Sequence, residues 1–217
     1  CLLGLLVSLA SQPVLAASNV SAPVATNQAT LQAKNAFISN LLKQMTLDEK
    51  IGQLRLISIS SEMPQPMILK EIAAGRIGGT FNSITRSENR PLQEAAVAKS
   101  RLKIPMFFAY DVVHGHRTIF PISLGLAASW DMDAIALSGR ISAIEASTDS
   151  LDMTFAPMVD ISRDPRWGRS SEGFGEDTYL VSRISDVMVK AFQGKSTAAS
   201  DNIMASDTAL APIRSEE

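Results

Sequence analysis

Short apolar segments alternate with helical segments along most of this chain. Strands are predicted at 77–81, 106–110 and 153–157, and 202–205 resembles the start of another. These segments are mostly apolar on both faces, which is typical of parallel strands covered by helices. Helical spacing of apolar residues predicts helices at 32–45, 46–54, 68–74, 88–102, 132–147 and 178–192. The alternation predicts an α/β fold built from parallel βα units, as an open sheet or a barrel.

Helix boundaries are marked by specific residues. Thr46 followed by Glu49 is a capping-box pattern for the second helix, and Asp131 can cap the helix that begins at Met132. Gly75 and Gly194 follow apolar helical segments, where glycine commonly ends a helix.

Composition excludes some partners. The chain has 217 residues, of which 46% are hydrophobic, and a formal net charge of −2. This is enough to bury the core of one medium-sized domain. Lysine and arginine are scattered rather than clustered, so we expect no nucleic-acid partner.

The first residues resemble a secretory signal peptide. Residues 1–16 are apolar but too short to span a bilayer, and they end in Val-Leu-Ala, which suits cleavage after Ala16. The alternative is a buried N-terminal helix, which Pro13 and the polar linker 17–30 disfavour. We therefore expect a periplasmic or secreted protein with no membrane contact after cleavage, and the single cysteine, Cys1, would leave with the leader.

One polar cluster directly follows the strand 106–110. Asp111 is placed at the carboxyl end of this strand, where parallel α/β folds keep their active sites, and its carboxylate can accept two hydrogen bonds from adjacent sugar hydroxyls. The alternative is an aspartate that caps a turn. Arg117 can donate to a hydroxyl or to a neighbouring carboxylate. His114 and His116 could ligate a metal, but no further ligands stand at diagnostic spacing, so His114 is interpreted as a residue that ties the loop together.

A second polar cluster runs from Asp160 to Thr178. It mixes three arginines with five acidic residues, three glycines and Trp167. Such a balanced loop is often only a solvated surface, but the tryptophan and glycines favour a compact loop beside a ligand. The segment 168–173 has glycine spacing like that of a phosphate-binding loop, yet the required Lys-Ser/Thr is missing.

Three motifs carry a family resemblance. The segments MTLDEKIGQL, FFAYDVVHGHRTIFPISLGLAASWD and FAPMVDISRDPRWGRSSEGFGEDTYL together resemble the N-terminal domain of glycoside hydrolase family 3, over about 37–205. The resemblance implies a (β/α)8 TIM-barrel-type domain followed by an α/β sandwich domain. It also implies β-glucosidase activity, which is retaining hydrolysis of terminal β-D-glucosyl residues, with small β-glucosides or oligosaccharides as ligands. The family chemistry uses carboxylates and no cofactor or metal.

The resemblance also assigns roles to single residues. Asp111 and Arg169 match family positions that hold the glucosyl unit, and Arg117 matches a position that is arginine in only some members. His114 matches a loop residue with a structural role. These three, Asp111, Arg169 and Arg117, are the predicted substrate-binding residues.

The catalytic residues have no match in this chain. The resemblance implies a Lys-His pair after the strand that begins at Ile203 and two catalytic carboxylates further on, and Ser206-Asp207 does not fit the nucleophile motif. We therefore expect an incomplete barrel domain over 31–205 with an aberrant tail over 206–217, inactive alone and open at its sheet edges. The alternatives are a non-catalytic carbohydrate-binding or interaction fragment, and an unrelated α/β cofactor enzyme, which lacks the Gly-rich fingerprint.

Overall fold

The computed structural model describes residues 28–196 and 199–206. It divides into two compact units with a boundary between Lys43 and Gln44. Helix α1, Gln28–Gln44, makes up the described part of the first unit. Because α1 begins at Gln28, the predicted end of the linker at residue 30 falls inside a helix. The predicted signal peptide, the rest of the linker and the tail beyond Ser206 lie outside the described residues.

The described part of the second unit contains a parallel β-sheet. Within these residues its five strands pair in chain order, and every pair is parallel. They are β1 Leu56–Ser58, β2 Gly79–Phe81, β3 Phe107–Tyr110, β4 Met153–Thr154 and β5 Met204–Ala205. Consecutive parallel strands joined by helices are the arrangement of a TIM-barrel-type domain, so the predicted α/β fold class is confirmed.

Helix α2, Leu47–Gln53, precedes β1, and further helices connect the successive strands of the sheet. These connecting helices are α3 Gln65–Ala73, α4 Arg86–Glu94, α5 Ser123–Ala128, α6 Met132–Thr148 and α7 Thr178–Gln193. The predicted helix 88–102 is shorter than expected, because α4 passes into a π-helical segment at Ala95–Lys99 and the chain becomes extended at Ser100. Two short elements, β1 and α5, were missed, since three and six residues are too few to show a period.

The predicted roles of Thr46, Asp131 and Gly194 at helix ends are confirmed, whereas α1, α3 and α4 begin two to four residues earlier than predicted. The hydroxyl of Thr46 accepts a hydrogen bond from the backbone of Glu49, whose carboxylate accepts one from the backbone of Thr46 at 2.8 Å. Asp131 caps α6, and Gly194 ends α7 at a positive φ of 57°. These bonds join residues that are close in the sequence, so the helix ends are stabilised locally.

The hydrophobic core lies between the sheet and its helices. Its fully buried side chains come from all layers, and they include Ile68, Ile72, Leu92, Phe108, Ile135, Ile184 and Phe192. Helices α6 and α7 approach closely at Gly139, where an added Cβ would meet Met188 and Ala191 at about 3 Å. The carboxyl ends of β3 and β4 carry both predicted polar loops.

Candidate functional site

Asp111 follows the last residue of β3, and its backbone is fixed against β4. The backbone of Phe155 donates to the carbonyl of Tyr110 at 3.2 Å, and that of Val112 donates to the buried hydroxyl of Thr154 at 3.1 Å. These two bonds hold the residues on either side of Asp111. Its carboxylate is exposed and forms no hydrogen bond or ion pair with another described residue. Nearby protein atoms still remove enough water to raise the pKa of Asp111, an effect that Arg169 partly offsets.

The second polar segment forms a closed loop after β4. The backbone of Ser162 donates to the carbonyl of Gly175 at 3.1 Å, which joins the two ends of the loop. Phe174 anchors the loop in the core with 2% exposure. Trp167 is half-buried within this loop. The loop is therefore compact, as expected, and its position beside a ligand stays a prediction.

This loop presents Arg169 to a group of three carboxylates. The guanidinium donates to Glu172 through Nε at 3.1 Å and Nη2 at 2.8 Å, and it interacts electrostatically with Asp160 and Asp111. The hydrogen bond to Glu172 raises the pKa of Arg169 and lowers the pKa of Glu172. Asp111 and Arg169 therefore come from two loops and lie close enough for their charges to interact, and the remaining Arg169 nitrogen forms no hydrogen bond within the described chain.

Asp160 is the third member of this acidic group. It lies six residues after β4, at the start of the closed loop. Its Oδ2 atom is buried and has no hydrogen-bond partner among the described residues. Buried carboxylate oxygens are nearly always paired, so this atom is an exception that needs an explanation.

The two histidines of the first loop have structural partners. His114 contacts the carbonyl of Phe120 through Nδ1 at 2.9 Å, which closes the loop as expected. His116 donates through Nε2 to Asp149 at 2.8 Å. The metal interpretation gains no support, because within residues 28–196 and 199–206 no group of three potential ligands comes together.

Arg117 contacts a carboxylate, the second of its two predicted uses. It binds Asp149 in a bidentate manner, with Nε at 2.9 Å and Nη2 at 2.6 Å. This pairing lowers the pKa of Asp149. A sugar contact of Arg117 stays a prediction.

The acidic residues that hold the first loop were not found by the sequence analysis. Asp149 and Glu145 lie four residues apart at the end of α6, and Glu145 accepts hydrogen bonds from the backbones of Arg117 and Thr118, each at 2.8 Å. Acidic residues near a helix C-terminus oppose the helix dipole, and this pattern was the available signal for a tertiary role.

Comparison with known proteins identifies the family. The family model described as "Glycosyl hydrolase family 3 N terminal domain" matches residues 46–207. The "Periplasmic beta-glucosidase" of Salmonella typhimurium is 56% identical over 206 residues, which are 95% of this chain and 26% of that protein.

Solved structures with the same fold bind sugars. A β-glucosidase from Listeria innocua in complex with glucose superposes with a TM-score of 0.71 at 35% identity, and covers 78% of this chain and 26% of that one. A mutant of that enzyme in complex with laminaribiose gives 0.66 at 37% identity, with 74% and 24% covered. This chain thus spans about a quarter of the length of these relatives.

None of the helices within the described residues combines the length and apolar character needed to cross a bilayer.

The family match covers most of this chain, and its residues include both polar loops. The chain therefore belongs to glycosyl hydrolase family 3 and represents part of the N-terminal domain of that family.

Proposed function

We propose that this chain forms part of the sugar site of a β-glucosidase-type enzyme that releases terminal β-D-glucosyl residues. The observation that carries the proposal is that Asp111 and Arg169, which come from two loops, lie close enough for their charges to interact. Asp111 offers acceptors that no described residue uses, and Arg169 offers a free donor beside it. Acceptors and donors together match the hydroxyl groups of a sugar.

The roles of the individual residues follow from their surroundings. Asp111 accepts hydrogen bonds from two adjacent hydroxyls of the glucosyl unit, and Arg169, oriented by Glu172, donates to a third oxygen. Arg117 stays a predicted sugar-binding residue, but its bond to Asp149 favours a role in ordering the loop.

The hydrolytic step requires two carboxylates about 5 to 5.5 Å apart, one as nucleophile and one as acid and base. We assign neither role to a described residue, and we propose that both belong to the remainder of the family's enzyme.

The name of the Salmonella relative and the apolar residues 1–16 support a periplasmic or secreted location.

Glucose binding to the purified chain tests this proposal. We expect saturable binding by isothermal titration calorimetry, lost on Asp111→Asn and on Arg169→Lys. Asp164→Asn is the matched control, since Asp164 lies in the same loop, is exposed, and among the described residues its carboxylate bonds only to Arg166. No turnover of p-nitrophenyl β-D-glucoside is expected. Absence of glucose binding by a folded sample would overturn the sugar-site proposal, and turnover would overturn the assignment of catalysis elsewhere.

A further inference from the structure

His116 is a buried histidine that the proposed sugar site does not use. Its side chain is 5% exposed, and Nε2 lies 2.8 Å from a carboxylate oxygen of Asp149. The pKa of Asp149 is lowered, so this carboxylate accepts and Nε2 carries the donated proton. The other ring nitrogen, Nδ1, is buried and has no hydrogen-bond partner among the described residues. The bond to Asp149 is therefore the polar contact that fixes the ring.

The ring of His116 also packs against the residue that precedes Asp111. It meets Tyr110 edge to face, with the ring centroids 6.1 Å apart and the planes at 79°. Tyr110 is the last residue of β3, and its carbonyl accepts hydrogen bonds from the backbones of Phe155 and Val112, each at 3.2 Å. His116 thus supports a residue whose backbone is joined to both β4 and the start of the loop.

The partner of His116 is itself held by helix α4. The backbone of Arg86, the first residue of α4, donates to the carboxylate of Asp149. The side chain of Asn89, which is 1% exposed, donates to the carbonyl of Asp149 at 3.1 Å. A continuous series of contacts therefore runs from α4 through Asp149 and His116 to Tyr110.

Asp111 depends on this support because its side chain has none of its own. Its carboxylate is exposed and forms no hydrogen bond or ion pair with another described residue. The backbone of Tyr110 and Val112 therefore sets the direction of the carboxylate. Hydrogen bonds weaken steeply as their angle departs from linear, so a small shift of this backbone weakens any bond that Asp111 makes to a ligand.

We propose that His116 is a positioning residue for sugar binding, whose hydrogen bond to Asp149 and contact with Tyr110 hold the backbone that aims Asp111 at the glucosyl unit. This rests on the proposed function. His116 does not touch the sugar. Binding groups that are held in place before the ligand arrives bind it more tightly, so losing this support weakens binding without removing a sugar contact.

Three substitutions of His116 test the hydrogen bond. His116→Gln keeps an N–H donor near the place of Nε2, whereas His116→Leu and His116→Asn do not present one to Asp149. By isothermal titration calorimetry we expect glucose to bind His116→Leu and His116→Asn about tenfold or more weakly than the wild type. His116→Gln should recover most of the affinity. His116→Asn is the smaller change and gives the comparison with His116→Gln if His116→Leu does not fold.

Glu49→Gln is the control for an effect on stability alone. Glu49 bonds to Arg101, which precedes β3 and so lies at the other end of that strand from Asp111. We expect Glu49→Gln to melt at a lower temperature than the wild type and to bind glucose equally well. If it weakens binding by the same factor as the His116 variants, the effect of His116 is general destabilisation and the inference fails.

Backbone amide resonances measure the positioning in the absence of sugar. In ¹H–¹⁵N spectra of the sugar-free chain, His116→Leu or His116→Asn should shift the amides of Asp111 and Val112, and His116→Gln should shift them less. Unchanged amides, wild-type affinity in folded His116→Leu or His116→Asn, or no recovery in His116→Gln would each overturn the role of His116 and leave the proposed function standing. A folded wild-type chain that does not bind glucose would overturn both proposals.

Discussion

The Nε2 atom of His116 lies 2.8 Å from Oδ2 of Asp149, and both side chains are more than nine-tenths buried. His116 is five residues beyond Asp111, whereas Asp149 ends helix α6. The backbone carbonyl of Asp149 also accepts a hydrogen bond from the buried side chain of Asn89 in α4 at 3.1 Å. One aspartate therefore joins the loop after β3 to two helices, which restrains the segment that follows Asp111.

Replacing this aspartate should destabilise the fold. In Asp149→Asn the carboxylate that accepts from His116 and Arg117 loses its charge, and an amide N–H₂ faces a donor. We expect a loss of about 2 to 4 kcal/mol in the free energy of unfolding, measured by urea denaturation. Asp186→Asn is the control, because Asp186 forms an exposed pair with Lys190, and it should change stability by less than about 0.5 kcal/mol. Equal effects of the two substitutions would contradict the role given to Asp149.

The same loop depends on a glycine. Gly115 has a φ of 129°, a conformation that side chains rarely adopt, and an added Cβ would overlap the carbonyl oxygen of Thr118. We expect Gly115→Ala to lower the free energy of unfolding by about 2 kcal/mol or more, through strain and displacement of the loop.

Gly168 provides a matched comparison for that substitution. A Cβ added there meets no atom within 4 Å. We expect Gly168→Ala to leave the urea midpoint within about 0.5 kcal/mol of the wild type. A Gly115→Ala variant as stable as Gly168→Ala would show that the loop adopts another conformation.

Much of the fold could be predicted because the signals are local. The capping residues Thr46 and Asp131 and the helix-ending Gly194 act on their own neighbours in sequence, so their effects were visible in the pattern. The apolar segments that became β2, β3 and β4 were also recognisable, although the paired strands are shorter than those segments. The length of a strand is set by its hydrogen bonds to the neighbouring strand, and the sequence of one segment does not specify that neighbour.

The site was only partly predictable for the same reason. The placement of Asp111 after a buried strand follows from strand polarity, but the pairing of Arg169 with Glu172 rather than with Asp164 or Glu176 depends on the path of the loop. The contact between Arg117 and Asp149 spans 32 residues, and only tertiary structure brings them together.

A second ion pair, between Glu49 of α2 and Arg101, should stabilise the fold. Glu49 is 8% exposed, and its carboxylate accepts from Arg101 at 3.0 and 2.6 Å while it completes the capping box of α2. We expect Glu49→Gln to lower the free energy of unfolding by about 1 to 3 kcal/mol. Glu94→Gln, which removes an exposed partner of Arg90, should have little effect.

The free energy of unfolding should depend on pH in part through the ionisation of Glu49. The hydrogen bond from Arg101 lowers the pKa of Glu49 from 4.5 to about 2. A lowered pKa means that the unfolded chain binds a proton before the folded chain does, so this stabilisation is complete above about pH 5 and is lost as the pH falls toward 2. The pKa values of Glu145, Asp149 and Glu172 are lowered as well, so they act in the same direction.

Melts of wild type and Glu49→Gln between about pH 7 and pH 3 measure the contribution of Glu49, and the difference in Tm should shrink below about pH 5. A difference that stays constant down to pH 3 would mean that Glu49 acts through its shape and not through its charge.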